Sequence, residues 1–179
     1  MKNILEFLPL SLFLILARTT DTSVPENWNI PFYAGGLAAL VCIVFCLSQR
    51  TMFKRIMLGI NLYLLSGGLA LITHQWWLNN LYGNLQASGM LLWVVGIGVV
   101  TLAVSPGGFV GVVCEDKMKV KQYSLYLLIA SICAFLLSFW FRGGDRLLAE
   151  IIPFVTLFMV QNSLQAKLTS ENELGSDSA

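Results

Sequence analysis

Side chains able to do chemistry are few in this chain, and their spacing matches no catalytic centre. The 179 residues include one histidine, His74, which excludes a histidine-ligated metal cluster within a single chain. Neither H-E-x-x-H nor G-x-S-x-G occurs, and the glycines at 107, 108 and 111 lack the preceding strand and the following Lys-Ser/Thr of a phosphate loop. We predict a protein that is not an enzyme and binds no cofactor; a membrane enzyme using only carboxylates is the catalytic alternative.

The four cysteines also have a simpler explanation than catalysis. Cys42 and Cys46 lie one helical turn apart in an apolar run, where they could form a metal-binding pair or serve as small packing residues. Packing is the favoured interpretation. None of the cysteines lies in a stretch assigned to an oxidising face, so we predict no disulfide.

Polar residues inside apolar segments are the remaining functional candidates, because burying them costs free energy. Glu6 either takes a functional role or pairs with Lys2 at the interface, and Asn61 forms either an interhelical hydrogen bond or part of a solute site. His74 is either a proton-titrating group, since an unperturbed histidine titrates near pH 6.5, or a residue at the outer interface beside tryptophans. Glu150 either pairs with Arg146 or faces a cavity.

Composition requires a membrane to surround these residues. The chain is 56% hydrophobic and 12% charged, with a mean hydropathy of +0.73. A soluble domain of this size could not bury so much apolar surface. The net charge of +1 gives no reason to expect a nucleic-acid partner. We predict an all-α, polytopic bundle of five to six transmembrane helices in residues 1–168, followed by a disordered, acidic cytoplasmic tail in residues 169–179.

The clearest span is Lys54–Trp77, whose apolar centre has nearly the ~20 residues that cross a hydrocarbon core. It contains Gly67 and Gly68, and we expect a neighbouring helix to cross closely at Gly68, with only one of the two glycines central to that contact and a hinge as the alternative. Pro9 should kink the first helix or end its first turn, and Pro31 should start the second helix. The predicted helices comprise residues 3–17, 31–48, 54–77, 89–104, 123–141 and 147–164, with loops at 78–88 and 105–122.

Small residues in the second helix predict a contact with another helix. Gly35, Ala39, Cys42 and Cys46 fall on one face. After the fourth helix, the break Ser105-Pro106-Gly107-Gly108 is followed by apolar residues that should bend back into the membrane edge.

Basic residues fix the predicted orientation. With six spans, eight Lys and Arg residues fall on one side and three on the other, so the positive-inside rule places both termini in the cytoplasm. If the first helix does not cross, only the N-terminus changes side.

Two stretches carry a resemblance to a known family. Met1–Leu10, M-K-N-I-L-E-F-L-P-L, is similar to the opening M-K-x-x-x-[DE]-F-x-P-L of the bacterial intracellular septation protein A family. Gly67–His74 resembles its G-G-L-x-L-x-x-H segment. The resemblance covers residues 1–80; Trp76–Tyr82 lacks the family's lysine, and the second half departs from the family's pattern.

The resemblance implies a non-enzymatic protein of the bacterial inner membrane that supports envelope maintenance and cell division. Its partners would be the lipid bilayer and division or elongation membrane proteins, with a homo-oligomer as a further option. The alternative is a small-solute transporter or membrane substrate-binding subunit with a midplane site, which Asn61 and the Pro106 break favour. A polar cavity lined by Asn61 and Glu150 would favour transport, whereas a core closed by Leu, Phe and Gly would favour the structural role.

Overall fold

A computed structural model describes residues 2–19, 25–49, 54–114, 116–145 and 147–176. These ranges contain helices and turns and no strand, which confirms the all-α prediction. A 3-10 turn, Pro25–Trp28, precedes α2, and a π-helical turn, Leu147–Ile151, leads directly into α7. The helices are α1 (Lys2–Thr19), α2 (Asn29–Ser48), α3 (Arg55–Ile72), α4 (Trp76–Leu85), α5 (Ala87–Val104), α6 (Lys117–Trp140) and α7 (Ile152–Ser176).

Five of these helices are long and apolar enough to cross a membrane, so the chain is a multi-pass membrane protein. They are α2, α3, α5, α6 and the helical segment Leu147–Asn172. The first helix, α1, has 18 residues and contains charged side chains near both ends. It lies alongside the spanning helices, because Glu6 near its start contacts the start of α3 and Phe13 contacts the start of α2.

The bundle is built mainly from contacts between helices that follow one another along the chain. Each of α1, α2, α3, α5, α6 and α7 packs on the next in that order. The rings of Phe7 in α1 and Phe158 in α7, 5.5 Å apart, bring the first and last helices together. The most enclosed helix is α3. Of its apolar stretch 61% is buried, against 22–39% in the other four spans.

One end of the bundle collects most of the described basic residues and is called the basic end below. Arg55, at the start of α3, contacts Ser105 after α5, and Lys119 near the start of α6 pairs with Glu171 near the end of α7 at 3.2 Å. The other end, called the aromatic end, contains α4 and the side chains of Tyr63, Tyr82 and Trp93.

Glycines make the crossing of α2 and α3 close. A Cβ atom on Gly36 would lie 3.0 Å from the carbonyl oxygen of Leu64 and 3.2 Å from the Cα of Gly68, and one on Gly68 would lie 3.1 Å from the carbonyl oxygen of Phe32. The close crossing expected at Gly68 is therefore present. We expected only one of the two glycines to be central to this contact. Both take part, because Gly67 packs against the ring of Phe32 in the same helix pair.

The small-residue face of α2 is also a helix contact, as expected. Gly35, Ala39, Cys42 and Cys46 are all buried, and Gly35 packs against Phe13 of α1 and Leu64 of α3. The sequence analysis missed Gly36, which makes the backbone contact with α3.

Replacing Gly68 by leucine should therefore lower the thermal stability of the detergent-solubilised protein more than Leu69→Ala does. The leucine side chain would meet the α2 backbone, which cannot move aside, and overpacking of this kind costs about 1–3 kcal/mol. Leu69 is 50% exposed and makes a matched control on the adjacent position. Thermal denaturation measures both variants, and equal tolerance would contradict the close crossing.

Several predicted boundaries were wrong. Helix α3 ends at Ile72 rather than at residue 77, and Trp76 and Trp77 belong instead to α4, whereas tertiary contacts extend other helices beyond their predicted ends. Residues predicted as a loop form α4, which buries Tyr82 despite a sequence rich in asparagine. The start of α6 is Lys117 rather than residue 123, because the carboxylate of Asp116 caps it by accepting hydrogen bonds from the backbone N–H groups of Met118 and Lys119.

The last helix differs most from its prediction. Residues 169–176, predicted to be disordered, continue α7, since Leu168 is buried and the Glu171 carboxylate contacts Lys119 and Tyr123. Residues 177–179 of the predicted tail lie outside the described residues. Helix α1 continues through Pro9, so the proline does not end it, and Pro31 is the third residue of α2 rather than its first.

Candidate functional site

Glu6 is the most deeply buried carboxylate among the described residues, at 1% exposure. Its Oε2 accepts a hydrogen bond of 3.3 Å from the backbone N–H of Lys54, the residue that precedes α3. The side chain of Lys54 makes no cap of its own. Glu6 thus supplies, from another helix, the acceptor and negative charge that favour a helix N-terminus. Its predicted pairing with Lys2 lies outside the described side chains.

Asn61 joins α3 to α1 beside this contact. It is 1% exposed, and its Nδ2 donates to the carbonyl oxygens of Met57 at 2.9 Å and Glu6 at 3.4 Å. The second bond joins two helices, which agrees with the prediction that Asn61 forms an interhelical hydrogen bond. No described residue donates a hydrogen bond to its buried Oδ1.

Exchanging Glu6 for glutamine should lower the free energy of unfolding by about 0.5–1 kcal/mol, because the amide oxygen still accepts from Lys54 but the charge near the α3 N-terminus is lost. Glu6→Leu should lower it further, since the Lys54 N–H then loses its acceptor as well. Thermal denaturation in detergent measures the series. Ser11→Ala, an exposed change on the same helix, should have little effect on stability and is the control. A Glu6→Leu protein as stable as the wild type would refute the capping role.

Cys42 and Cys46 lie near Glu6 and interact with each other. Both are buried and free of disulfides, which agrees with the packing role. Within the described ranges, no group of three or more His, Cys, Asp or Glu side chains is placed to hold a metal ion.

The segment after α5 turns back, as predicted, and packs inside the bundle; its predicted place at the membrane edge stays a prediction. Phe109 and Val110 are fully buried, and their backbone N–H groups donate to Oγ of Ser124 at 2.9 and 3.3 Å. Arg55 lies against this segment: its guanidinium donates to Oγ of Ser105 at 2.9 Å, and its buried Nε has no described acceptor. The side chain passes within 3.8 Å of the position that a Cβ on Gly111 would take.

A polar residue that the sequence analysis did not single out is buried in α7. Gln161 has no exposed surface, and neither atom of its amide has a described hydrogen-bond partner. Gln165, one turn later, donates to the carbonyl oxygen of Val110 at 2.7 Å. The signal was available, because a glutamine in an apolar helix satisfies the same criterion that selected Asn61.

Asn61 and Glu150 do not share a site. Asn61 is the seventh of the 18 residues of α3, close to the middle of that helix, whereas Glu150 belongs to the π-helical turn that begins at the aromatic end. Eleven residues of helix separate Glu150 from Gln161, a rise of about 16 Å. The predicted partner of Glu150, Arg146, lies outside the described residues.

His74 lies at the aromatic end and is exposed. Its ring is 5.8 Å from that of Trp76, and the neighbouring Trp77 donates from its indole to the side-chain oxygen of Gln75 at 2.8 Å. Trp76 and Trp77 are also exposed. This is the arrangement expected of residues at a membrane interface.

Aromatic side chains close the bundle at this same end. The rings of Tyr63 and Tyr82 are 4.6 Å apart, and Phe32 packs on both. The Tyr82 hydroxyl shares a hydrogen bond of 2.7 Å with Oγ of Ser66 and accepts one of 2.9 Å from the indole of Trp93.

Aromatic packing around Tyr82 thus marks one end of this membrane protein, and the buried contacts of Glu6 and Arg55 mark the other. Comparison with protein-family models, with curated proteins and with solved structures gives no match to this chain.

Proposed function

We propose that the chain is a non-enzymatic protein of the bacterial inner membrane that supports envelope maintenance and cell division through helix packing and contacts with partner membrane proteins. The resemblance of residues 1–10 and 67–74 to the septation protein A family supplies the link to division. The five apolar helices are compatible with contact with the bilayer, which such a role requires.

The observation that carries this proposal is the closed centre of the bundle. Gly36 and Gly68 bring the α2 and α3 backbones together, and Leu64 beside them has no exposed surface. Glu150 lies in the turn at the start of the last span, away from Asn61 near the middle of α3, so the two do not line a common midplane cavity of the kind that the transport alternative requires. A core packed in this way suits a scaffold whose outer surface makes the functional contacts.

Co-purification tests the proposed role. The tagged full chain, extracted from bacterial membranes in a mild detergent, should return proteins of envelope synthesis or division at higher yield than a tagged, unrelated multi-pass protein does. Repeated recovery of the chain alone, or of a second copy only, would argue against the division role. Cells lacking the protein should also show altered septation or length.

The proposed orientation places the C-terminus in the cytoplasm. The basic end contains Lys54, Arg55, Lys117 and Lys119, and α7 ends there, so the positive-inside rule supports this assignment. A reporter enzyme active only outside the cytoplasm, fused after Ala179, should be inactive. The same reporter inserted after Gly143, at the other end, should be active, and the reverse pattern would overturn the orientation.

A solute-binding role is the second candidate, and one observation favours it. Gln161 and Asn61 bury polar atoms for which no described residue is a partner, and Arg55 buries its Nε in the same way. A bound polar solute would satisfy such groups. Thermal stabilisation of the purified protein by a small polar solute, lost in a Gln161→Met variant, would favour this role over the structural one.

A further inference from the structure

The short helix α4 is attached to the bundle through two residues with unusual backbone conformations. His74, which precedes it, has φ of +54°, and Gln86, which follows it, has φ of +51° and ψ of −133°. Within the described ranges these are the two non-glycine residues with positive φ. They stand on either side of one ten-residue helix.

Both conformations are unfavourable for residues that carry a Cβ atom. Positive φ is uncommon outside glycine, and the combination at Gln86 falls in a region that glycine occupies much more readily than glutamine does. Strain of this kind persists only where the surrounding structure holds it in place. A movement of α4 that returned these two residues to negative φ would relieve the strain.

Tyr82 is the main contact that holds α4 in place. It is 5% exposed, whereas Trp76 and Trp77 on the same helix are 57% and 65% exposed. Its hydroxyl reaches both neighbouring spans, Ser66 on α3 and Trp93 on α5. At the far end of α4, the carbonyl oxygen of Asn84 accepts a hydrogen bond of 3.3 Å from Arg142.

The buried amide of Asn79 is a second contribution that favours movement of α4 away from the bundle. Asn79 precedes Tyr82 by three residues and therefore lies on the same face of α4. Both polar atoms of its side-chain amide are buried, and no described residue bonds to them. Movement of α4 away from the bundle would let water reach this amide, which is favourable for an unpaired polar group.

From these contacts we propose that α4 is a hinged strap over the aromatic end of the bundle, with His74 and Gln86 as hinges and Tyr82 as the latch. The latch hydrogen bonds and the burial of the Tyr82 ring hold the strap closed. Backbone strain at the hinges and the unpaired amide of Asn79 favour opening. Opening exposes Ser66 on α3 and Trp93 on α5, each six positions inside the end of its helix that faces α4, so the strap controls access to that side of the core.

Hydrogen–deuterium exchange of the purified full chain in detergent micelles, read by mass spectrometry, tests the strap. Tyr82→Phe removes the hydroxyl and keeps the ring, so exchange of the α4 amides should become about tenfold faster while that of α3 and α6 is unchanged. Tyr126→Phe is the matched control, because Tyr126 is an exposed tyrosine whose hydroxyl accepts a hydrogen bond from Gln122. It should leave α4 unchanged.

The hinge is tested by adding Gln86→Gly to Tyr82→Phe. Glycine takes the closed conformation without strain, so the double variant should exchange α4 amides within about threefold of the wild-type rate. Ser66→Ala, which removes one of the two latch hydrogen bonds, should give a smaller acceleration than Tyr82→Phe and serves if that variant does not fold. Unchanged α4 exchange in both latch variants, a uniform acceleration across all helices, or faster exchange on adding Gln86→Gly would overturn the proposal.

Discussion

Replacing Gly59 by alanine is expected to destabilise the protein by about 1–3 kcal/mol, through overpacking of the α3–α5 crossing. A Cβ atom at this position would lie 2.8 Å from the Cα and 3.0 Å from the backbone nitrogen of Val94. Backbone atoms inside a helix cannot rotate away as a side-chain end can. The two helices would have to separate, which would also loosen the buried side chains around them.

Gly96→Ala is the control, and we expect it to change the free energy of unfolding in the opposite direction. No atom lies within 4 Å of a Cβ at Gly96, which is in the exposed part of α5. Alanine in a helix interior is favoured over glycine by roughly 0.5–1 kcal/mol, so this variant should be as stable as the wild type or more stable. Thermal denaturation in one detergent compares the pair. A Gly59→Ala protein as stable as Gly96→Ala would show that α3 and α5 do not cross as closely as described.

Gln161→Met is expected to raise the free energy of unfolding by about 1–3 kcal/mol. A buried amide with no hydrogen-bond partner carries a desolvation penalty of that order, and methionine fills a similar volume without polar atoms. The amide of Gln161 has no exposed surface and no described partner at either polar atom. Thermal or denaturant unfolding of the solubilised protein measures the change.

The sign of this change also separates the two candidate functions. A gain in stability would indicate that neither water nor a solute is bound to the amide of Gln161 in the folded protein. A loss would mean that the amide binds water or a polar solute in the folded protein, and would favour the solute-binding role. Asn162→Met, an exposed change at the next position of α7, should alter stability little and controls for the effect of the substitution itself.

The long helices could be predicted because each depends on an apolar run that is visible in one stretch of sequence. Gly68 could be predicted for the same reason, since small residues in a membrane helix mark close contacts. Their partners could not. Which residues meet these glycines depends on how a second helix is aligned beside the first, as Gly36 and Val94 show. A pattern along one helix does not contain that information.

The remaining errors at the candidate site have the same origin. A loop was predicted where α4 forms, because the asparagines of that segment disfavour a helix and the burial of Tyr82 against two other helices outweighs them. Glu6 was identified as a candidate, but its contact with Lys54 joins residues 48 positions apart. Gln161 was overlooked although its sequence context resembles that of Asn61.

The packing of each spanning helix on the one that precedes it bears on how the chain is assembled. A bundle with this order of contacts can form progressively during synthesis, because every newly inserted helix finds its principal neighbour already in the membrane. Most contacts then close short loops, which favours fast folding. The pairing of Phe7 with Phe158 is an exception, because it joins the first helix to the last and must wait for the last helix, and it would mark completion of the bundle.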